Sequence, residues 1–185
     1  TDAAGLTTSE EFTVSVADIN EAATLTLTNA SVTENAAGAS IGTVVVSDPD
    51  IGDSYTLSLG GTDAALFELS GSTLKLKDSM TADYETQPSY SVAITATDSG
   101  GLATTQQFTV SVTNVNESAT EVALSSNSLA ENIAGAVVGT LVTTDPDSGD
   151  TATYSLSGAD AEAFEILGST LKLKDSVTAD YEAQS

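Results

Sequence analysis

The sequence contains no cysteine, no histidine and no tryptophan, and only four basic residues. Each absence removes a class of chemistry. Without cysteine there is no disulfide to staple a small domain and no thiol nucleophile. Without histidine the chain lacks the commonest general base and the usual zinc ligand. The missing tryptophan leaves a sugar-stacking platform poorly supported. No run of about 18 apolar residues occurs, so no membrane insertion is expected. Four basic residues against 27 acids give a net charge of −23, which argues against nucleic acid or an anionic membrane as a partner. Serine and threonine recur in alternating strand patterns with no base nearby, so no catalytic nucleophile is read and no enzyme is expected.

What remains is enough to fold. An apolar content of 40% suits packed cores, and 185 residues hold one or two domains. The chain opens in mid-strand at Thr1 without a signal-peptide pattern. It reads as a piece of a longer protein, and the missing leader says little about secretion.

An internal repeat sets the organisation. Val112-Thr113-Asn114-Val115-Asn116-Glu117 echoes Val16-Ala17-Asp18-Ile19-Asn20-Glu21 at an offset of 96 (112 − 16). Both close an alternating strand, Phe108 to Val112 and Phe12 to Val16. Glu34-Asn35 recurs as Glu131-Asn132 at an offset of 97 (131 − 34). Asp48-Pro49-Asp50 recurs as Asp145-Pro146-Asp147, and Asp83-Tyr84-Glu85 as Asp180-Tyr181-Glu182. Gly71 to Asp78 returns as Gly168 to Asp175. Tyr55 and Phe67 stand two residues further apart than Tyr154 and Phe164, which predicts an insertion in the loop after the third strand. The chain then holds a complete repeat over residues 22–117. Residues 1–21 are the last strand and exit linker of a preceding repeat, and residues 118–185 are a truncated repeat with its first five strands.

Period-two alternation runs through the complete repeat. Leu25, Leu27 and the region of Val32 suit an opening strand, residues 42–46 a second and residues 55–59 a third. Phe67 to Leu69 and Thr73 to Lys77 form a hairpin turning at Ser70-Gly71-Ser72. Tyr90, Val92, Ile94 and Ala96 share one face of a sixth strand, and Phe108, Val110 and Val112 one face of a seventh. A single helical turn is allowed over residues 62–66. Seven short strands predict an all-β, Greek-key β-sandwich. The recurring aromatics Phe12, Phe108, Phe67, Phe164, Tyr55, Tyr154, Tyr84 and Tyr181, with Tyr90, are expected in the core. Lys75, Lys77, Lys172 and Lys174 alternate with leucines and read as a solvent face guarding an edge.

The acids gather where strands end. Alternation puts Asp83 and Glu85 on one face. Pro49 stiffens the turn that presents Asp48 and Asp50. Asp98 continues the inward parity of Tyr90 to Ala96 one step beyond the core, and Asn114 stands in the same relation to Val112. With Asp2, Asp53 and Asp150, the end-of-strand acids number 17 of the 27. Oxygen ligands concentrated at domain ends are what a hard cation such as calcium requires.

These motifs resemble those of cadherin repeats, in the form found in large bacterial surface proteins. The matching residues are Glu34-Asn35, Asp48-Pro49-Asp50, Asp83-Tyr84-Glu85, Asp98-Ser99-Gly100 and Asn114-Val115-Asn116-Glu117-Ser118, in family order. Tyr84 stands where the family has arginine, Glu117 and Asn114 where it has aspartate. No N-terminal tryptophan is present, so the strand-swapping adhesion of animal cadherins is not implied. The resemblance implies tandem seven-stranded sandwiches with Ca2+ at the junctions between repeats. One junction would draw on Glu34, Asp83, Glu85, Asn114, Asn116, Glu117, Asp145 and Asp147. The other would draw on Asp18, Asn20, Glu21, Asp48, Asp50 and Asp98. Glu131, Asp180 and Glu182 are the corresponding ligands of the last repeat. The expected role is a calcium-stiffened spacer in a large secreted bacterial adhesin, extracellular, whose partners are its neighbouring repeats and a homophilic or cell-surface contact. A direct cell-adhesion or carbohydrate-binding module is the alternative.

Overall fold

The computed structural model describes residues 1–183, which divide into two compact units, Thr1–Thr113 and a second that begins at Asn114. The chain is all-β, with no α-helix among the described residues. In the first unit the strands are β1 (Thr24–Leu27), β2 (Ser31–Thr33), β3 (Ser40–Ser47), β4 (Tyr55–Gly60), β5 (Phe67–Ser70), β6 (Thr73–Leu76), β7 (Ser89–Asp98) and β8 (Ala103–Thr113). They make two four-stranded sheets, ordered β1-β3-β6-β5 and β2-β8-β7-β4. Only β2 with β8 runs parallel among these pairings.

Alternation explains the sandwich. On β7 the buried residues are Tyr90, Val92, Ile94, Ala96 and Asp98, each separated by a half-buried neighbour. Val110 and Val112 on β8 point the same way, and Ile41, Val44, Phe67, Leu74 and Leu76 meet them from the other sheet. Phe67 and Tyr90 pack edge to face across this core, with ring centroids 5.6 Å apart at 80°. The β5–β6 hairpin turns at Gly71, whose φ of 61° suits glycine in the left-handed region. A 3-10 turn over Ala64–Leu66 leads into β5.

Among its described residues the second unit has one sheet, β11 (Phe164–Leu167), β12 (Thr170–Leu173), β10 (Val137–Thr144) and β9 (Glu121–Leu124), in that order. It repeats the first sheet of unit one, including the register shift at Val137/Gly139 that answers Ser40/Gly42.

Several sequence expectations need correction. Residues 12–16 form no strand, and Phe12, Val14 and Val16 are exposed. A lone strand has no ladder to satisfy its backbone. Five strands are expected in the last repeat and four are present among its described residues. Strands β4 and β2 are held by β7 and β8, which have no counterparts among the described residues of unit two, and residues 128–130 and 152–157 stay irregular. The insertion does not exist either. Positive-φ glycines Gly52 and Gly61 recur as Gly149 and Gly158 at the constant offset of 97 (149 − 52; 158 − 61), so Tyr154 answers Leu57, not Tyr55. Of the aromatics, Phe12, Tyr55, Tyr84 and Tyr181 are exposed, not core. The lysine strand is no edge, because β6 lies between β3 and β5. Lys75 instead bridges Glu68 at 3.1 Å and Asp78 at 2.5 Å, and Lys172 repeats this with Glu165 at 3.3 Å and Asp175 at 2.5 Å.

Two outcomes follow. Phe67→Ala should destabilise unit one by about 3–5 kcal/mol, read from the midpoint of its denaturant unfolding curve. Amide exchange should be slowest in β7 and fast over residues 151–157, whose backbone lacks a ladder; equal protection in the two stretches would contradict this architecture.

Candidate metal centres

The acids of unit one converge in three groups, each with one oxygen per residue within 4.8 Å of the others: Asp18 with Glu21 and Asp50, Asp48 with Asp53 and Asp98, and Glu34 with Asp83 and Glu85. Unit two has two such groups, Glu131 with Asp180 and Glu182, and Asp145 with Asp147 and Asp150.

Local chain chemistry explains each placement. Glu34 follows β2 and is buried, and its Oε2 accepts the Tyr84 N–H at 2.6 Å. Asn35 then adopts a left-handed φ of 62° and donates its N–H to the Ala82 carbonyl, a conformation asparagine tolerates better than most residues. Asp83 and Glu85 do not lie on a strand, as alternation suggests. Residues 84–86 form a turn in which Asp83 accepts both the N–H and the hydroxyl of Thr86 at 2.8 Å. An Asx turn of this kind competes with extended backbone. The same frame recurs in unit two, where Tyr181 N–H donates to Glu131 at 3.1 Å, Asn132 has φ 58° and Asp180 caps residues 182 and 183.

At the opposite turn, Asp48 Oδ1 accepts the Asp50 N–H at 2.9 Å, and Asp50 Oδ2 accepts the Glu21 N–H at 2.8 Å. Unit two copies both: Asp145 accepts from Asp147 at 3.0 Å and Asp147 accepts the Glu117 N–H at 2.6 Å. Asp98 ends β7 with its carboxylate buried, accepting the Leu102 N–H at 2.8 Å and the Asn20 amide at 3.0 Å. Gly100 makes room for Asn20, since a Cβ there would stand 2.7 Å from the amide.

Charge follows geometry. The Asp50 carboxylate beside Glu21 pushes its carboxyl above the usual range, with burial, Asp18 and Asp48 adding to the effect. The Asn20 amide holds the Asp98 carboxyl below its ordinary value, helped by the N–H groups of Leu102, Gly101 and Gly100 and opposed by burial. The signs oppose one another. Asp98 contributes stability present above its ordinary 3.8 and lost as pH falls through its lower folded value, whereas Glu21 contributes stability present below 4.5 and lost as pH rises through its higher one.

Of the residues singled out in the sequence, Asp18, Glu21, Glu34, Asp48, Asp50, Asp83, Glu85, Asp98, Glu131, Asp145, Asp147, Asp180 and Glu182 therefore fall into acid groups. Asn20 enters through Asp98. Glu117 meets Asp147 through its backbone, and Asn116 donates its amide to the Glu117 carbonyl. Asn114 follows β8 and is exposed. Two acids in these groups, Asp53 and Asp150, are missed as ligands by motif reading. Their signal was the shared offset of 97 (150 − 53). The donor set suits a hard cation: all oxygens, in groups no wider than a calcium coordination sphere of about 5 Å. Among the described residues Asp53 Oδ2 is buried with no hydrogen-bond partner, while its Oδ1 accepts the Ser99 hydroxyl.

In calcium-free buffer, Asn20→Ala should raise the pKa of Asp98 toward its ordinary value, because the amide bond is the largest cause of its depression. Carboxyl-carbon NMR titration reads this directly; an unmoved or lowered Asp98 pKa would refute the assignment.

Comparison with known proteins agrees with this geometry. Residues 28–113 match the family described as Cadherin domain. The chain is 32% identical to Protein dachsous of Drosophila melanogaster over 158 residues, covering 77% of this chain and 4% of that protein. To Protocadherin Fat 4 of Mus musculus it is 29% identical over 167 residues, covering 84% of this chain and 3% of that protein. It thus spans a small fraction of these relatives. Among solved structures, human Protocadherin-24 EC1-2 in form II superposes with a TM-score of 0.65 at 25% identity, over 84% of this chain and 80% of that one. Two sheets closed on a shared apolar core, acids gathered at strand ends, and these matches all agree: residues 28–113 match a cadherin domain and fold as a cadherin-like β-sandwich.

Proposed function

We propose that this chain is a calcium-stiffened spacer in the stalk of a large secreted adhesin of the bacterial kind, built from tandem Greek-key repeats of seven strands when β1 and β2 are counted as halves of one split opening strand. The observation that carries the reading is the recurrence of the same carboxylate frames in both units. Glu34, Asp83 and Glu85 answer Glu131, Asp180 and Glu182, and Asp48 with Asp50 answers Asp145 with Asp147. Cadherin domains generally bind Ca2+, and these groups supply hard oxygen donors for it.

On this reading Ca2+ is held at the ends of repeats by Asp18, Asn20, Glu21, Asp48, Asp50 and Asp98 at one junction. Glu34, Asp83 and Glu85 are further ligands in the first unit, and Asn114, Asn116, Glu117, Asp145 and Asp147, with Glu131, Asp180 and Glu182, are those of the second. The ion supplies positive charge where like charges gather, and the chain's residues do the orienting. Backbone N–H groups of Tyr84, Glu21, Asp50 and Leu102 each fix a carboxylate oxygen in place. Extracellular calcium sites bind at about 0.1–1 mM. With free ion at about 100 times the dissociation constant, each site adds about 2.7 kcal/mol to the folded state, a large share of the roughly 5–15 kcal/mol that holds a domain. Removing the ion leaves mutually repelling carboxylates and a loose linker.

The partners of such a segment are its own neighbouring repeats and, through the whole protein, a homophilic or cell-surface contact. The place of action is extracellular, as it is for cadherin domains. Among the described residues no helix is long and apolar enough to cross a membrane. A second reading, a module that itself binds cells or carbohydrate, is favoured by the exposed rings of Tyr55, Tyr84 and Tyr181. Binding of the chain to cells or glycans, lost when those tyrosines become serine, would support it.

The spacer reading makes a sharp demand. Asp145→Ala combined with Asp147→Ala should weaken calcium binding and broaden the distance distribution in small-angle scattering at saturating calcium. The thermal transition of unit one should stay in place. A double variant that binds calcium and scatters like the parent would show that these residues are not ligands.

A further inference from the structure

We infer that strand β8 pairs edge to edge with β8 of a second copy of this chain, antiparallel about a two-fold axis at Thr105, so that two sheets join into one. The inference concerns the side of the sandwich and not its strand-end acids, so it stands or falls apart from the calcium reading.

Strand β8 is laddered to β7 along residues 103–111, but β2 covers its other side only from Ser111 to Thr113. Two bonds fix the direction of its backbone groups. The Val112 N–H donates to Pro88 on the β7 side, and the Ser111 N–H donates to Ala30 on the β2 side. Alternation then turns the N–H and C=O groups of Ala103, Thr105 and Gln107 away from β7. Among the described residues these groups meet no backbone partner. The Gln107 carbonyl accepts the exposed side-chain amide of Gln106 at 3.1 Å and keeps a second lone pair.

This edge carries none of the usual guards. Natural edges are blunted by charge, proline, a bulge or shortness. Residues 103–113 contain no charged residue and no proline, and the β7–β8 register runs from Ser89/Ser111 to Thr97/Ala103 without a shift. The other edges of unit one are guarded: β1 and β2 have four and three residues, β5 carries Glu68, and β4 begins opposite Asp98.

Charge selects the occupant. Two copies at −23 each repel, so they can approach closely only where acids are absent. Thr105 and Gln107 are exposed on an outer face that β7 continues with Ala93, Thr95 and Thr97, all uncharged. A basic partner would be drawn to the acidic strand ends instead, whereas a neutral edge of free donors and acceptors is complementary to itself. The register is bounded as well. Centring on Thr105 sets Ala103 of each copy against Gln107 of the other, for about six backbone bonds. A centre at Gln107 would bring Ala103 of the second copy against Ser111, where β2 sits. The ladder is short and buries less than the roughly 800 Å² per partner of a stable interface, so the dissociation constant should be on the order of 0.1–1 mM.

The test is sedimentation equilibrium of the full chain up to about 1 mM, in about 0.15 M salt to screen long-range repulsion. The parent should dimerise weakly. Thr105→Glu and Thr105→Lys should each be monomeric, because like charges directly opposite across strands are destabilising, and an equimolar mixture of the two should regain the dimer. Thr105→Cys should form a disulfide dimer under mild oxidation, since opposed residues stand about 5.5 Å apart and the chain has no other cysteine. Thr56→Cys, on the β4 edge, should not. A parent that stays monomeric throughout would overturn the inference. So would association unchanged in Thr105→Glu, which would place the contact on another surface, or a mixture as monomeric as its components. Equal cross-linking of the two cysteine variants would overturn it too.

Discussion

The period-two alternation of β7 is the constraint on which the rest of this structure depends. Its inward series begins with Tyr90, Val92, Ile94 and Ala96, which fill the core, and ends with Asp98, which serves the acid group. One ladder therefore sets both the packing and the position of a carboxylate. A one-residue slip against β4 or β8 would turn the core outward and take Asp98 away from Asp48 and Asp53 together. No separate scaffold is needed for the site, because the sheet register already aims it. The dependence also runs backwards: whatever rigidity the sandwich has is passed on to the oxygen that ends its central strand.

The fold distributes its electrostatic burden unevenly. Backbone N–H groups answer single oxygens of Glu34, Asp48, Asp50 and Asp98, while like charges still face one another at distances below 4.8 Å. The chain's own cations are employed elsewhere. Lys75 and Lys172 are each tied between two acids that flank their strands. The like charges of the strand-end groups couple the order of the end-of-repeat loops to the ionic surroundings in a way that the apolar core is not coupled. That division lets the core and the ends respond to different variables.

Much of this was legible in the sequence. Most strands of the first unit follow from alternation, because their buried and exposed faces differ sharply in composition; the single opening strand expected from Leu25 to Val32 is instead two, β1 and β2, in different sheets. The five acid motifs were found through repetition and resemblance. What escaped has physical reasons. Residues 12–16 are identical to residues 108–112, yet only the latter form a strand, since a strand is a property of its partners as much as of its side chains. The turn at Asp83 looks extended when only the parity of its acids is read, but Thr86 offers Asp83 a local bond that curls the chain. Matching Tyr55 to Tyr154 gave weight to ring identity over spacing, and so suggested an insertion that constant glycine positions exclude. Asp53 was passed over because a single acid before a strand is ordinary; only the neighbours brought in by Gly52 and the β4–β7 register make it unusual.

The clasped lysines carry one more consequence. The sequence contains four basic residues in all, and they sit at 75, 77, 172 and 174. Lys75 and Lys172 lie on strands paired on both sides, and the N–H groups of Lys77 and Lys174 donate to the carbonyls of Leu66 and Ala163. A protease that cuts after basic residues needs an extended stretch of backbone released from its own hydrogen bonds. Here every such stretch is part of a ladder or pinned beside one, and elsewhere the chain offers that protease no recognition residue at all. The scarcity of basic residues thus leaves long tracts of the polypeptide invisible to trypsin-like digestion.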